Sequence, residues 1–170
     1  RIVAELADRG HVAVGLTRDR EGDEVVAERG GVPRRGDVLD ADAVEWAAAD
    51  ADVVVHAASA VPAEREPDEE AWERNDRVRR RGAANLTDAA AKGAAERYVQ
   101  ASVAWVVRND DGSPVDAASE PNPDRTTRSA LEAEQRARAA ERFGLEPLVL
   151  RTGWFYAADS GQTRKLAAGL

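Results

Sequence analysis

Cysteine is absent from this 170-residue chain, which excludes disulfide bonds and thiolate chemistry. Lysine is scarce, because only Lys92 and Lys165 contribute to the 24 basic side chains. No apolar run approaches the ~20 residues that a membrane-spanning helix needs. The opening residues, RIVAELADRG, are amphipathic and charged, unlike a signal peptide. These absences predict a cytoplasmic protein with no membrane partner.

Positive charge is also in deficit, since the net charge is −8, and this argues against non-specific nucleic-acid binding. The basic run RVRRR (77–81) lies in a predicted helix with Glu69, Glu70 and Glu73. We interpret it as a solvated helix face with pairs four residues apart, and predict no nucleic-acid partner. The acidic, arginine-rich composition fits a GC-rich genome or a salt-adapted surface, and it leaves both open.

Helical and strand-like segments alternate along the chain. The predicted helices span 1–10, 40–51, 68–92 and 126–143, and the predicted strands span 11–17, 52–59, 97–107 and 146–153. This alternation predicts an α/β fold with a Rossmann-like, doubly wound parallel sheet and helices on both faces. Without a long linker or a repeat, residues 1–170 are expected to form a single domain.

Ligands of doubly wound sheets bind beyond the carboxyl ends of the strands. Small residues there let a cofactor approach the backbone closely. The candidates in the last part of a predicted strand or just after it are Arg18, Arg20, Ala57, Ala58, Ser59, Ser102, Thr152, Gly153 and Tyr156. His56, also at a strand end, is interpreted as a packed core residue.

Four segments carry a resemblance to a known family. They are GDVLDADAVEWAAADADVVVHAAS (36–59), ERNDRVRRRGAANLTDAAAKGAAERYVQAS (73–102), SEPNP (119–123) and LVLRTGWFY (148–156). In order and spacing they resemble the extended short-chain dehydrogenase/reductase family, also called the NAD-dependent epimerase/dehydratase family. The resemblance implies an NAD(P)-binding Rossmann-like domain.

The resemblance also implies positions for the cofactor. Asp37 and Val38 would flank the adenine, and Gly153 and Tyr156 would line the nicotinamide side. Asn75 would support the site from its helix. Arg18, with Arg20, would meet a 2′-phosphate, and position 17 holds no acid for a ribose hydroxyl, so NADP is favoured over NAD. No metal ligand is assigned.

The first departure from the family is at the start of the chain. The family opens with a strand and a glycine-rich turn, whereas this chain opens in the helix that should follow. We therefore expect a fragment that lacks the first strand and that is also truncated at its C-terminus. Strands 11–17 and 53–58 would then lack their shared neighbour.

The second departure is in the active-site helix, which in the family reads Tyr-x-x-Ser-Lys-x-x-x-Glu. Here Ser129 and Glu134 are retained, but Thr126 stands for the tyrosine and Ala130 for the lysine. A threonine hydroxyl is too weak an acid to replace a tyrosine whose pKa a lysine lowers. Of the catalytic set only Ser102 would remain, as a hydrogen-bonding partner of a ligand oxygen.

Two classes of function stay open from the sequence. One is an NAD(P)-dependent epimerase, dehydratase or reductase that acts on a small molecule such as a nucleotide sugar or a carbonyl compound. The other is a non-catalytic NAD(P)-binding sensor or a structural subunit. A homodimer through helices 68–92 and 126–143 is expected from the family.

Overall fold

The computed structural model describes residues 1–62, 64, 66–157 and 161–168. Its helices are α1 (Ile2–Asp8), α2 (Arg20–Glu28), α3 (Ala41–Ala48), α4 (Glu69–Lys92), α5 (Arg128–Ala139) and α6 (Gly161–Ala168). Its strands are β1 (Val14–Thr17), β2 (Val32–Arg35), β3 (Val53–His56), β4 (Arg97–Val103) and β5 (Glu146–Thr152). Short 3₁₀ helices at Ala104–Val106 and Ala140–Phe143 follow β4 and α5.

The helix ends lie where local side chains satisfy free backbone groups. The Asp40 carboxylate accepts from the backbone N–H groups of Asp42 and Ala43, at 3.1 and 3.3 Å. Asp68 caps α4 in the same way, since it accepts from the N–H of Ala71 at 2.9 Å. Gly144 ends the helical stretch with a φ of +84°, a conformation that favours glycine.

The strands form two parallel sheets. β1 pairs with β2, and β3, β4 and β5 pair in that order. Within the described residues no strand lies between β1 and β3. One edge of β1 and one edge of β3 therefore have no neighbouring strand there, as expected. The parallel pairing and the alternation with helices confirm the predicted Rossmann-like α/β class.

Helices cover both faces of the two-stranded sheet. Gly15 lies against Val26 of α2, so close that a Cβ would come within 2.6 Å of a Val26 methyl carbon. On the other face, Gly36 lies against Leu16 of β1 and Ala43 of α3. A Cβ on Gly36 would come within 2.8 Å of the Ala43 Cβ. Glycine is therefore required where the helices approach the sheet most closely.

The main core lies between α3, α4 and α5 and one face of the three-stranded sheet. Its buried residues are mostly small: Val44, Ala48, Val54, Ala89, Ala90, Tyr98, Ala137, Ala140 and Leu145. Alanine allows the helices to pack close to the strands. Leu16 and Val38 also pack against this cluster, which connects it to the two-stranded sheet.

α2 and β2 are not among the elements predicted from the sequence, and several predicted elements are longer than those in the structure. β2 has the sequence VPRR, with a proline and two arginines, because it is an edge strand that uses little apolar surface. β4 ends at Val103 rather than 107, and α5 begins at Arg128 rather than 126. Across the described helices, none combines the length and the apolar character needed to cross a membrane.

Candidate functional site

The carboxyl ends of β3, β4 and β5 lie along one edge of the three-stranded sheet. His56 is in register with Gln100, and Ser102 is in register with Arg151. Ala57, Ala58 and Ser59 follow β3 and are exposed. These small side chains leave the backbone open, as a nucleotide that lies across a strand end requires. Binding of a dinucleotide at this edge stays a prediction.

Ser102 lies at the predicted edge, but its side chain is buried and already has a partner. Its hydroxyl donates to Glu134 Oε1 of α5 at 2.6 Å. Arg151 of β5 binds the same carboxylate with two nitrogens, Nε at 2.9 Å and Nη2 at 2.8 Å. Ser102, Glu134 and Arg151 thus form a buried network that joins β4, α5 and β5. A role of Ser102 toward a substrate stays a prediction.

Glu134 is ionised in this network. Its side chain is 1% exposed, and burial alone would raise its pKa. The hydrogen bonds from Arg151 and Ser102 outweigh burial and hold the pKa below its ordinary value. The pair is bidentate, the strongest geometry for an arginine and a carboxylate.

Thr126, at the position of the family tyrosine, directs its hydroxyl to a carboxylate. Thr126 Oγ1 donates to Asp124 Oδ1 at 2.7 Å, and the backbone N–H of Thr126 donates to the same oxygen at 2.8 Å. Thr127 adds two further hydrogen bonds to this oxygen. Burial would raise the pKa of Asp124, but these bonds lower it overall. The turn is therefore a local cap before α5.

Ala130, at the position of the family lysine, is 3% exposed and faces the interior of the fold. The positive charge nearby comes from a different helix. Arg79 of α4 donates from Nη1 to the Thr126 backbone oxygen at 2.9 Å and is within 3.5 Å of Ser129 Oγ. The Arg79 guanidinium thus lies beside the turn that holds Thr126. It comes from α4 and not from the position of the family lysine, which Ala130 occupies.

The interpretation of His56 as a packed core residue is confirmed, since it is 1% exposed. Its Nδ1 is 3.1 Å from Gln100 Oε1, which also accepts from the Tyr98 hydroxyl at 3.0 Å. Burial lowers the pKa of His56, and the charge of Arg79 acts in the same direction. Burial raises the pKa of Tyr98. Both groups are therefore neutral at physiological pH.

Asn75 is fully buried and holds the segment that follows β3. Its Oδ1 accepts from the backbone N–H of Ala60 at 3.0 Å. This contact ties α4 to the exposed residues Ala57, Ala58 and Ser59. Asn75 therefore holds the segment after β3, at the predicted cofactor edge, from its place on α4. Direct contact of Asn75 with a cofactor stays a prediction.

The residues predicted near the adenine lie beyond β2 and β1. Asp37 is exposed and accepts from the Leu39 N–H at 2.9 Å, while the Val38 oxygen accepts from Asn85 at 2.9 Å. Arg18 is exposed directly after β1. Asp37 and Arg18 are therefore exposed, whereas Val38 is half-buried and packs against the core, and contact of these residues with a nucleotide stays a prediction.

An exposed aromatic cluster lies at the end of β5 and was missed by the sequence analysis. Trp105 and Trp154 stack with centroids 5.3 Å apart and planes at 24°. Trp154, Phe155 and Tyr156 are 60%, 75% and 70% exposed, and Gly153 is exposed beside them. Thr152 binds the Ser102 backbone oxygen at 3.0 Å, which places this cluster next to Ser102.

The basic run 77–81 is not simply the solvated face that the sequence suggested. Arg77 makes the expected pair with Glu73, four residues earlier, at 3.8 Å. Arg80 instead pairs with Glu132 of α5, Arg81 donates to the Leu39 oxygen, and Arg79 turns inward. Only the packing of α4 against α5 distinguishes these otherwise similar arginines.

Comparison with known proteins agrees with this geometry. Residues 1–169 match a family model described as NAD(P)H-binding. A "3-diazoavenalumate denitrifying reductase" of Streptomyces sp. is 32% identical over 176 residues, which cover 96% of this chain and 54% of the relative. The chain spans about half the length of the relatives that it matches.

Solved structures with the same fold include epimerases and reductases. A candidate epimerase of Burkholderia cenocepacia J2315 superposes with a TM-score of 0.78 at 25% identity, over 98% of this chain and 55% of that one. A short-chain dehydrogenase/reductase superfamily protein of Agrobacterium tumefaciens with bound NAD gives 0.72 at 23% identity, over 88% and 44%. UDP-N-acetylglucosamine 4-epimerase of Bacillus cereus gives 0.69 at 21% identity, over 88% and 47%.

Proposed function

Because the chain belongs to the NAD(P)H-binding family, among proteins of the epimerase and short-chain dehydrogenase/reductase type, we propose that it is an NAD(P)H-dependent reductase whose substrate needs no protein proton donor. Ala57, Ala58 and Ser59 would hold the nucleotide at the end of β3, with Asp37 and Val38 near its adenine. When bound, the reduced nicotinamide supplies a hydride. The protein's contribution is to bind and orient the reactants.

The observation that carries this proposal is the state of the two hydroxyls at the positions of the family's catalytic serine and tyrosine. The hydroxyl of Ser102 donates to Glu134, and that of Thr126 donates to Asp124. Both acceptors are carboxylates with lowered pKa values, so neither hydroxyl is set up to protonate a substrate. Arg79, the nearby cation, keeps its proton at physiological pH.

Reduction of a carbonyl group requires a proton on oxygen, and sugar epimerisation also moves a proton to and from oxygen. Replacement of a diazonium group by hydrogen does not. In that reaction the C–N bond breaks, N₂ leaves as a neutral molecule, and the hydride electron pair ends in the new C–H bond. The 32% identical relative is named a denitrifying reductase of a diazo compound. We therefore assign this chain an aromatic diazo substrate that reacts in its diazonium form, in preference to a nucleotide sugar.

The exposed aromatic cluster supports a flat, unsaturated substrate. Half of the eight aromatic side chains of the protein, Trp105, Trp154, Phe155 and Tyr156, lie beside the ends of β4 and β5. Aromatic rings bind other flat rings by offset stacking. The pyranose ring of a sugar offers less of this contact. Arg18, exposed after β1, favours NADPH over NADH by contact with the 2′-phosphate.

The test is turnover of 3-diazoavenalumate with NADPH, against UDP-N-acetylglucosamine and a panel of simple ketones. We expect oxidation of NADPH and release of N₂ with the diazo compound alone. Reduction of ketones instead would overturn the assignment. Binding of NADPH by calorimetry with no turnover of any substrate would support the alternative of a non-catalytic NAD(P)-binding protein.

A further inference from the structure

Arg79 differs from its neighbours in the run 77–81, because it is half-buried at the interface of α4 and α5. Its Nη1 contacts the Thr126 backbone oxygen and the Ser129 hydroxyl, both of them neutral groups. Across residues 1–62, 64, 66–157 and 161–168 no carboxylate lies within ion-pair distance of Arg79. Nε and Nη2 have no hydrogen-bond partner in that part of the chain. The guanidinium therefore retains open donors.

Asp76, one turn earlier, makes no ion pair with Arg79, but its negative charge acts on the guanidinium. Burial, the larger effect, lowers the pKa of Arg79, and the charge of Asp76 raises it. Asp76 Oδ2 accepts from Arg125 Nη1 at 2.7 Å, and Arg125 also pairs with Glu69 at 2.5 Å. Asp76 is thus bound from the loop that leads into α5. Its other oxygen, Oδ1, is buried and has no partner among the described residues.

Two further buried polar atoms near the same face of α4 lack a partner within the described part of the chain. They are His56 Nε2 and Asn75 Nδ2, on residues that are 1% and 0% exposed. His56 Nε2 lies against α4, since a Cβ on Gly82 would be only 2.9 Å from it. Buried polar atoms without partners are rare in folded proteins and indicate an unseen water or ligand group. The face of α4 between Asn75 and Gly82 is therefore built for a polar group.

We infer that Arg79 is an anion-binding residue of the crevice and that it holds a carboxylate of the substrate. The inference rests on the proposed function, which places the substrate between the end of β3 and the start of α5. The planar guanidinium offers paired N–H donors that match the two oxygens of a carboxylate. A phosphate of the nucleotide shares this chemistry, so the experiment must separate the two sources. Arg79 on α4 would thus provide a positive charge on the substrate side of the turn before α5, where Ala130 replaces the family lysine.

The experiment measures equilibrium binding, so that it does not depend on turnover. Benzoate and its neutral analogue benzamide are titrated into the NADP⁺-saturated protein, and NADP⁺ is titrated separately. The variants are Arg79→Gln, Arg79→Lys and the control Arg77→Gln, which removes an exposed arginine two residues away. Thermal unfolding of each variant shows whether it is folded.

The wild-type protein and R77Q should bind benzoate more tightly than benzamide. R79Q should lose this preference, with benzoate weakened about tenfold, as expected for a charge-assisted hydrogen bond. R79K should retain part of it, and the Kd for NADP⁺ should change little in all variants. Unchanged benzoate binding in folded R79Q would overturn the inference, as would a loss confined to NADP⁺. If the benzoate preference and its loss in R79Q are observed but the protein does not reduce the diazo compound, the proposed function is refuted and the anion-binding role of Arg79 stands.

Discussion

Thr126 Oγ1 donates its hydrogen to Asp124 Oδ1 at 2.7 Å, at the position where the resembled family has its tyrosine acid. The same carboxylate oxygen also accepts from Thr127. The turn before α5 has therefore become a capping structure. At positions 126 and 130 this turn supplies neither the phenol nor the lysine of the family's catalytic pair.

Thr126→Val tests this interpretation of the turn. Loss of a general acid costs about 10²–10⁴-fold in turnover, whereas we expect T126V to stay within about twofold of wild type. The variant should lose about 1 kcal/mol of stability, because one hydrogen bond to Asp124 is removed. Steady-state kinetics and urea unfolding measure the two effects. A large fall in kcat at unchanged stability would make Thr126 a participant in proton transfer.

Glu134→Gln tests the buried network with Ser102 and Arg151. Removal of one partner leaves the other charge uncompensated, so we expect a loss of about 3–5 kcal/mol in the free energy of unfolding. Glu132→Gln is the matched control on the same helix. Its pair with Arg80 is exposed, so its loss should cost at most about 1 kcal/mol. Equal losses in the two variants would contradict the buried pair.

The same carboxylate predicts a pH dependence of stability. The pKa of Glu134 is lower in the folded protein than in the unfolded chain, so its stabilisation is present above the unfolded value of about 4.3. It is lost as the pH falls from there through the folded pKa. Urea unfolding across this range should show a steeper loss of stability for wild type than for E134Q. Parallel curves would exclude Glu134 as a source of the acid sensitivity.

Arg18→Ala tests the preference for NADPH. If Arg18 contacts the 2′-phosphate, the variant should bind NADPH about tenfold more weakly and NADH unchanged. Arg29→Ala removes an exposed arginine at the end of α2 and serves as the control. Calorimetry with both nucleotides gives the ratio directly. Equal weakening of NADH and NADPH would remove Arg18 from the phosphate site.

Trp154→Ala tests the aromatic cluster. Stacking between rings contributes about 0.5–1.5 kcal/mol, so KM for the diazo substrate should rise up to about tenfold with kcat little changed. Trp46→Ala is a close control, because Trp46 on α3 is 59% exposed, against 60% for Trp154. A KM change of the same size in W46A would mean that the effect does not come from the site.

The sequence predicted the parts of the fold that depend on local patterns. Asp40 and Asp68 mark helix starts through their capping carboxylates, and the branched side chains of VVVH predict a strand, in which Val53 and Val55 prove to be exposed. β2 was missed because the edge strand VPRR has no apolar alternation. Its place is set by pairing with β1, a contact distant in sequence.

The order of the strands predicts where the candidate site lies, but it does not predict the hydrogen bonds within the site. Ser102, Thr126 and Ala57 lie where the order of strands puts them. The partner of Ser102 is Glu134, 32 residues away, and no local pattern reveals that hydrogen bond. The sequence could not distinguish Arg79 from Arg77, Arg80 and Arg81. Which of them faces inward depends on how α4 is rotated about its axis relative to α5.

The most direct test of the central claim is the stoichiometry of 3-diazoavenalumate reduction by the wild-type protein and by T126V. We expect one N₂ released per NADPH oxidised, at rates that agree within about twofold for the two proteins. NADPH oxidation without N₂, together with ketone reduction that falls by about 10²-fold or more in T126V, would contradict it.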